Sequence, residues 1–530
     1  MKRLCLIVFL FSSLFFSCKK ENDNPQWNVE FLGPLAKATL GIENLIGDSS
    51  LSINSAGAVS LIIDTTFSNF KLDSIYTIPD TTILTTQVFP PFPLPINPGT
   101  DFISGNNNVV LGVSGVQLKS ALLKEGSIKF EIKNTLQSKI LYTYKIRKAL
   151  KNGIPFEVNF SVDSGSLSDP KFFSQTYDFS GYQIDLSGST GGSFNTLAYD
   201  VIAKSDPAGD TFNLIGSDTL INLKTTLIGI APNYVRGYLG QTDLSENKSI
   251  SFGFGNLISD GTIVLDSVDM KFEVTNYIGV DIQAYINSLT SINNRTGQSL
   301  ALNNSNLIQH NLNINRATES SIGSFNVSPY VYSVNLNKSN SNIRQIMESL
   351  PDSLRYDLNL QLNPLGNISG SSDFIYSDKL VDTRIQVNMP LSFGANQLTL
   401  SDTIDFKIEN ATDLDPIGPS TITLHALNGF PFDMNMQLLL LDENNIVIDS
   451  LLVPGLIAAG QLDNNNLVIA STETKIPIFI DENRKQKLNL TKRIKVRSAF
   501  TTPGYPQLVQ LYNTYHLDLK FIGDGQYLIR

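Results

Sequence analysis

The sequence contains few side chains that could act as nucleophiles, general bases or metal ligands. Its three histidines, His310, His425 and His516, lie far apart along the chain. A zinc site needs three or four clustered His, Cys or carboxylate ligands, so we interpret these histidines as structural or surface residues. The sequence has no nucleophile elbow, phosphate-binding loop, dinucleotide-type glycine motif or HExxH motif. We therefore expect no enzyme activity, metal or cofactor, and only a hydrolase built on paired carboxylates stays open.

The most informative reactive side chain is the thiol of Cys18. An apolar run covers residues 4–16 and follows Lys2 and Arg3. Only Ser17 separates this run from Cys18. The run is too short for a stable transmembrane helix. A basic start, an apolar centre and a small residue before the cleavage point are typical of an export signal. The pattern resembles the lipobox of bacterial lipoproteins.

The lipobox resemblance implies that residues 1–17 are a signal peptide and that Cys18 becomes the acylated first residue, carrying palmitate or a similar chain. Residues 18–26 would then form a polar tether to the outer membrane. Exported lipoproteins of Bacteroidota that reach the cell surface usually carry an acidic tract after this Cys, whereas Lys19 and Lys20 follow it here. The periplasmic and cell-surface faces of the outer membrane therefore both stay open.

The composition is that of a large secreted protein rich in β-structure. The 530 residues are enough for several domains, and the charged fraction is only 17%. The formal net charge is −10, which repels phosphate backbones and argues against a nucleic-acid partner. Cys5 would be removed with the signal peptide and Cys18 acylated, so no disulfide is expected and stability must come from packed cores.

Short sequence blocks recur along the chain. The block at 130–134 recurs at 272–276 and 406–410, and the block at 152–159 recurs at 428–435 with an unchanged offset from the first. A different pair, at 197–200 and 354–357, is followed each time by an Asp/Asn-Pro-x-Gly turn. We interpret the blocks as two module types in alternation, with an insertion near residues 233–256.

The periodicity of the blocks predicts strands. Residues 129–134, 271–276 and 404–408 alternate apolar and polar side chains, while helix-like spacing is confined to residues 118–123 and 343–350. We expect an all-β fold of tandem β-sandwich-like modules of two alternating types with few short helices. One elongated continuous β-structure is the alternative.

The predicted domains follow from the positions of these blocks. Residues 27–125 form an N-terminal β-region with a proline-rich segment, which is extended because proline cannot donate ladder hydrogen bonds. Residues 126–258 form a first module pair with the inserted segment, residues 259–398 a second pair, and residues 399–530 a C-terminal module.

One short motif recurs, in which Asp is followed by Ser or Thr and then by an aliphatic residue or Thr. It resembles the acceptor signal for the O-glycosylation that Bacteroidota apply to exported proteins, but the same triplet is also a natural turn into a strand. The hydroxyl residues of these triplets are Thr65, Ser74, Thr81, Thr219, Ser267, Ser353, Thr403 and Ser450.

The chain as a whole resembles the β-rich outer-membrane lipoproteins of Bacteroidota. The resemblance rests on residues 17–20, on residues 27–46 and on the strand pattern of residues 512–529, and it implies no particular activity. We expect a lipid-anchored envelope protein that is not an enzyme and has an interaction or structural role, for example as an accessory subunit of a transport or secretion complex. The alternative is a glycan-binding lipoprotein of a polysaccharide-uptake system, with Tyr234, Tyr238 and Tyr285 as a stacking platform.

Overall fold

The computed structural model describes residues 27–43, 51–69, 78–87, 91–214, 221–251, 258–405, 420–453 and 455–529. Within these residues the chain is built almost entirely of antiparallel strands. Helix α1 spans Ile343–Glu348 and helix α2 spans Glu482–Leu490. The predicted all-β fold with few short helices is confirmed, and α1 forms at one of the two predicted helical segments.

The strands are numbered in chain order. The first twelve are β1 (Trp27–Gly41), β2 (Leu51–Ile53), β3 (Val59–Asn69), β4 (Thr81–Gln87), β5 (Leu94–Ile96), β6 (Asp101–Val110), β7 (Gln117–Asn134), β8 (Ile140–Lys151), β9 (Ile154–Val162), β10 (Lys171–Asp178), β11 (Gln183–Asp185) and β12 (Thr196–Ser205). The next twelve are β13 (Phe212–Leu214), β14 (Ile221–Tyr238), β15 (Thr242–Ser251), β16 (Ile258–Leu265), β17 (Asp269–Asn276), β18 (Ile282–Asn293), β19 (Gln298–Ala301), β20 (Asn311–Ile314), β21 (Thr318–Glu319), β22 (Val327–Ser328), β23 (Tyr330–Leu336) and β24 (Ser353–Leu362). The last are β25 (Asp373–Tyr376), β26 (Val381–Pro390), β27 (Ser392–Asp405), β28 (Ser420–Asn428), β29 (Asp433–Leu441), β30 (Val447–Leu452), β31 (Gln461–Leu462), β32 (Val468–Ala470), β33 (Thr472–Ile480), β34 (Arg493–Thr501), β35 (Val509–Gln510) and β36 (His516–Ile529).

Strand pairing within the described residues repeats one eight-stranded pattern three times. If the eight strands of a copy are lettered B to I in chain order, one sheet has the order B-I-D-G and the other has the order C-H-E-F. Two four-stranded antiparallel sheets with this connectivity form a jelly roll. Jelly roll 1 uses β4, β6, β7, β8, β9, β10, β12 and β14, jelly roll 2 uses β3, β15, β17, β18, β19, β23, β24 and β26, and jelly roll 3 uses β1, β27, β28, β29, β30, β33, β34 and β36.

The three jelly rolls are nested along the chain. Jelly roll 1 lies entirely in the connection between strands B and C of jelly roll 2, and both lie in the corresponding connection of jelly roll 3. Residues 239–241 connect β14, the last strand of jelly roll 1, to β15, which is strand C of jelly roll 2. Leu391 connects β26, the last strand of jelly roll 2, to β27, which is strand C of jelly roll 3. The described part of the predicted insertion, residues 233–251, is therefore not an insertion: it contributes the end of β14 and then β15, which occupies the same position as β6 and β27.

The two sheets of a jelly roll bury alternating side chains between them. In jelly roll 1 the ring of Phe130 on β7 lies 4.7 Å from that of Tyr144 on β8 and 5.4 Å from that of Phe160 on β9. In jelly roll 3, Phe432 and Phe500 stack with ring centroids 4.2 Å apart. Period-two burial along the strands is what a sheet with one face on a core requires.

Each jelly roll turns from strand D to strand E around a buried asparagine. Asn134, Asn276 and Asn428 end β7, β17 and β28, and each is at most 1% exposed. Each side-chain oxygen accepts a hydrogen bond from the backbone N–H two residues later, at 2.9 to 3.0 Å. Each side-chain amide donates to the carbonyl four residues later, at 3.0 Å in all three copies.

The same asparagines also reach the connection that follows strand F. Their amide nitrogens donate to the carbonyl oxygens of Asp163, Asn315 and Ala458, at 2.8, 2.8 and 3.0 Å. One side chain thus satisfies three backbone groups that would otherwise be buried without partners. The two types of sequence block are successive parts of this one module, because blocks 197–200 and 354–357 lie in strand H.

Two sequence-based expectations are wrong. Residues 118–123 lie in β7 and are not helical, because they pair with β14 and β11 and tertiary pairing overrides local spacing. The predicted equivalence of Asn152 and Asn428 also fails. Asn152 is an exposed residue with φ of 54° in the turn from β8 to β9, whereas Asn428 is a buried corner residue. The recurring block at 406–410 lies outside the described residues.

The described residues fall into two compact units. One takes in those of 27–61, 258–267 and 389–529, and it holds jelly roll 3. The other takes in those of 62–251 and 268–388, and it holds jelly rolls 1 and 2 apart from the first residues of β3 and the last of β26. β29 and β30 pair with each other as an antiparallel hairpin.

Candidate functional site

A polar cleft of about 600 Å³ lies at one end of jelly roll 2. One wall is the loop that follows β19, and the other is the loop between β23 and α1. All ten residues that line it are Asn, Ser, Gln, Lys or Arg. The cleft therefore offers many hydrogen-bond donors and acceptors, and it is lined by no apolar side chain.

Side chains of the cleft hold its two walls together. The side-chain oxygen of Asn342 accepts a hydrogen bond from the backbone N–H of Asn303 at 2.7 Å, and its amide donates to the carbonyl of Ala301 at 2.9 Å. In the other direction, the amide of Asn304 donates to the carbonyl of Asn340 at 2.9 Å. Because each loop is bonded to the other, the walls are fixed before any ligand arrives.

The second wall is also braced internally. The side-chain oxygen of Asn340 accepts from the backbone N–H of Asn337 at 2.9 Å, and its amide donates to the carbonyl of Asn335 at the same distance. The side-chain oxygen of Asn337 accepts from the backbone N–H of Ser339 at 2.9 Å. Asparagine side chains thus fix the shape of the loop through hydrogen bonds to its backbone.

The cleft carries two cationic side chains and is lined by no carboxylate. Lys338 lies in the second wall and Arg344 lies on α1. The side chain of Arg344 is 40% exposed, and its guanidinium lies 3.5 Å from the carboxylate of Glu348, which is not a lining residue. α1 itself is anchored by the buried residues Ile343, Ile346 and Met347.

A second cluster of polar side chains is buried where jelly roll 1 meets jelly roll 2. Here β14 pairs with β25, so that Tyr234 lies opposite Tyr376. The carboxylate of Glu319 is 6% exposed and forms an ion pair with Arg236. It also accepts hydrogen bonds from the hydroxyls of Tyr234 and Tyr376, at 3.0 and 2.7 Å. We call this set, together with Arg316, Asp281, Asp373 and Asn363, the ionic junction.

The other half of the ionic junction fixes the link from jelly roll 1 to jelly roll 2. The guanidinium of Arg316 bonds the carboxylate of Asp281 through Nε at 3.1 Å and that of Asp373 at 3.3 Å. Asp373, with a side chain only 1% exposed, accepts from the backbone N–H of Leu239 at 3.0 Å and from the amide of Asn363 at 2.8 Å. Leu239 begins the three-residue link between β14 and β15.

The ionic junction shifts the titration of its members. Burial raises the pKa of Tyr234 to about 12, and the nearby Glu319 carboxylate acts in the same direction. Burial also raises the pKa of Tyr376 above its usual value. Burial alone would lower the pKa of Arg316, but hydrogen bonds and charge attraction from Asp281 and Asp373 raise it. Both tyrosines are neutral and Arg316 is charged at neutral pH even without these shifts, and the shifts extend those states to more alkaline pH.

The structure separates the predicted glycosylation residues. Cys18, Ser74 and Thr219 lie outside the described residues. The others lie in strands or in a turn before a strand: Thr65 in β3, Thr81 in β4, Ser267 before β17, Ser353 in β24, Thr403 in β27 and Ser450 in β30. Of these, Thr403 is exposed and the rest are half-buried. O-glycosylation stays a prediction at all of them.

The three histidines occupy different places. His310 is exposed in the loop before β20. His425, in β28, lies 3.2 Å from Glu473, and His516, at the start of β36, lies 3.5 Å from Asp518. Among the described residues, no three His, Cys, Asp or Glu side chains gather as metal ligands. None of the helices in the described part of the chain is long and apolar enough to cross a bilayer.

The predicted tyrosine platform does not form as expected. Tyr234 is 3% exposed and belongs to the ionic junction, so its ring cannot stack on a ligand. Tyr238 in β14 and Tyr285 in β18 are half-buried.

The sequence contains one signal for the cleft that the motif search did not use, since Asn and Ser are dense at 303–306 and 337–342. The members of the ionic junction are dispersed along the chain and gave no such signal.

Neither a family model nor a curated protein matches the sequence. Among solved structures, the chain is similar to a protein of Parabacteroides distasonis ATCC 8503 that is provisionally described as secreted. Identity is 15% and the TM-score 0.25, over 54% of this chain and 82% of that one. It is also similar to a triple jelly roll protein of an archaeal virus, with 9% identity and a TM-score of 0.11 over 82% and 90% of the two chains. A structure of the infectious bursal disease virus Gt strain gives 9% identity and a TM-score of 0.12 over 91% and 86%. Likenesses with TM-scores this low establish neither function nor kinship.

Proposed function

We propose that the protein is a lipid-anchored scaffold of the bacterial outer membrane that is not an enzyme and binds another envelope protein. The observation that carries this proposal is the repetition of one jelly roll three times. Copies of a single module supply extended surface area more readily than one deep reactive pocket. A scaffold of this kind suits an accessory subunit of a transport or secretion complex.

The ionic junction supports the scaffold role. Its buried carboxylates and guanidiniums are bonded to one another and to the link at Leu239, and so they join jelly rolls 1 and 2. A buried ion pair is valuable for specifying a unique geometry even where it contributes little net stability. The proposal assigns these groups to positioning the two jelly rolls.

The lipid anchor is tested by replacing Cys18 with Ser. The variant should leave the membrane fraction and appear in the soluble fraction, because its signal would no longer deliver an acylated residue. Ser17→Ala, which keeps the thiol, is the matched control and should remain with the membrane. Membrane fractionation of Cys18→Ser equal to that of the control would contradict the anchor.

The scaffold role is tested by crosslinking in intact cells followed by mass spectrometry. We expect reproducible crosslinks from lysines of the jelly rolls to one or a few other envelope proteins. A chain that crosslinks only to itself, or to no protein above background, would overturn the proposed partner.

A further inference from the structure

We propose that the cleft of jelly roll 2 binds an acidic carbohydrate, that is, a sugar chain carrying carboxylate groups. This inference adds a ligand site to the proposed scaffold role and does not depend on it. It rests on four features of the cleft: its lining chemistry, its charge, its rigidity and its size.

The lining chemistry selects a ligand rich in hydroxyl groups. Amide side chains such as those of Asn303 and Gln345 both donate and accept hydrogen bonds, and the hydroxyl of Ser305 does the same. Sugar hydroxyls have the same dual character. An apolar ligand would leave these groups without partners, and their desolvation would then weaken binding.

The charge of the cleft selects an anion. Lys338 and Arg344 are its charged lining residues, and both are cationic, with Arg344 also lying 3.5 Å from the carboxylate of Glu348 outside the lining. The chain as a whole carries a formal charge of −10. The positive charge of the cleft lining is therefore opposite in sign to the net charge of the protein. An ammonium and a guanidinium are the groups that pair best with a carboxylate.

The rigidity and size of the cleft suit a short segment of a sugar chain. Its walls are bonded to each other through Asn342 and Asn304, so little conformational entropy is lost on binding. Its volume of about 600 Å³ falls in the range of small-molecule sites, about 300 to 1,000 Å³. The 40% exposure of Arg344 shows that the cleft is open to solvent, as an internal segment of a polymer requires.

The test is calorimetric titration of the full-length protein with tetragalacturonic acid, with a neutral galactose tetrasaccharide and with inorganic sulfate. We expect the acidic tetrasaccharide to bind at least tenfold more tightly than the neutral one, and sulfate to bind more weakly than either. Binding should weaken as ionic strength rises, because part of the attraction is between solvent-exposed charges.

Variants assign the binding to the cleft. Lys338→Gln should weaken binding of the acidic tetrasaccharide at least tenfold, while Lys379→Gln, an exposed lysine in the turn before β26, should leave it unchanged. Ser305→Trp places a large ring at an exposed position of the cleft and should abolish binding while leaving the melting temperature unchanged, which separates blockage from misfolding.

Four outcomes would overturn the proposal. They are absence of binding to either sugar by the folded protein, equal binding of the acidic and neutral sugars, sulfate binding as tight as that of the acidic sugar, and full binding by Lys338→Gln and Ser305→Trp. None of these outcomes bears on membrane fractionation or crosslinking, so failure here is distinguishable from failure of the scaffold role.

Discussion

Asn134, Asn276 and Asn428 show how much of this fold depends on single side chains. Each is buried and satisfies three backbone groups at the turn from strand D to strand E. Aspartate could not replace them, because an ionised carboxylate has no N–H to donate to two carbonyls. The same side chain in three copies points to a requirement of the corner and not of one local sequence.

Replacing Asn276 with Ala should destabilise the protein by about 3 kcal/mol or more, because buried backbone groups that lose their partner cost about 1 to 3 kcal/mol each. The groups affected are the N–H of Ile278 and the carbonyls of Val280 and Asn315. Urea unfolding measures the change. Asn152→Gly is the control, since Asn152 has positive φ in an exposed turn and Gly adopts that conformation without strain. Equal midpoints for the two variants would refute the structural role of the corner.

The sequence pattern revealed part of this arrangement. Asn134 and Asn276 end two copies of the same recurring block, so their equivalence was predictable from sequence. The similar segments at 152–159 and 428–435 instead predict that Asn428 corresponds to Asn152, because both precede Gly. Burial separates them, and burial depends on which strands pack over the corner, which no local pattern encodes.

At the level of elements, the ionic junction is where β14 of jelly roll 1 pairs with β25, a short strand between strands H and I of jelly roll 2. The pairing of β14 with β25 brings Arg236 close to Glu319, and two tyrosine hydroxyls complete the set. Its members come from strands and loops far apart in sequence. No spacing rule applies to them, so the junction could not be predicted from the sequence.

Replacing Glu319 with Ala should cost about 3 to 5 kcal/mol, the usual effect of removing one partner of a buried ion pair. Hydrogen exchange in β14 and β25 should rise together. Glu157→Ala is the matched control, because its pair with Lys145 is exposed, with 41% and 36% of the side chains accessible, and should contribute under about 1 kcal/mol. Unchanged exchange in β25 of the Glu319 variant would show that the carboxylate does not hold the junction.

The ionic junction also makes stability sensitive to alkali. Tyr234 titrates with a pKa of about 12 in the folded protein and near 10 when unfolded. The unfolded chain therefore loses this proton first, and the contribution of the neutral phenol, complete below about pH 10, is lost as pH rises towards 12. Thermal melts from pH 9 to 12 should show a smaller decline for Tyr234→Phe than for the unchanged protein. An equal decline would contradict the assignment.

At the scale of the whole molecule, the nested order of the jelly rolls is the feature that sequence reasoning did not find. Strands of the all-β fold were predictable from alternation and turn residues. The nesting was not, because β1 is separated from β36, and β3 from β26, by whole jelly rolls. Long-range pairing of this kind depends on tertiary structure and leaves no periodic signal.

Deleting residues 27–41 tests the nesting. Only jelly roll 3 should lose structure, because β1 pairs with β36 from Trp27 opposite Ile529 to Gly41 opposite His516. Hydrogen exchange should rise in β36 and β28 and stay unchanged in β7 and β17, which serve as internal controls. Protection of β36 equal to that in the unaltered chain would show that β1 is dispensable.

The pairing of β1 with β36 sets the order in which the chain can complete its fold during synthesis. β1 is synthesised well before β36, its only partner among the described strands of the sheet, and stays unpaired until β36 has been made. The innermost jelly roll can close early and the outermost only at the end. A chain released prematurely by the ribosome would therefore expose β1 as an open edge and become a natural target for quality-control proteases.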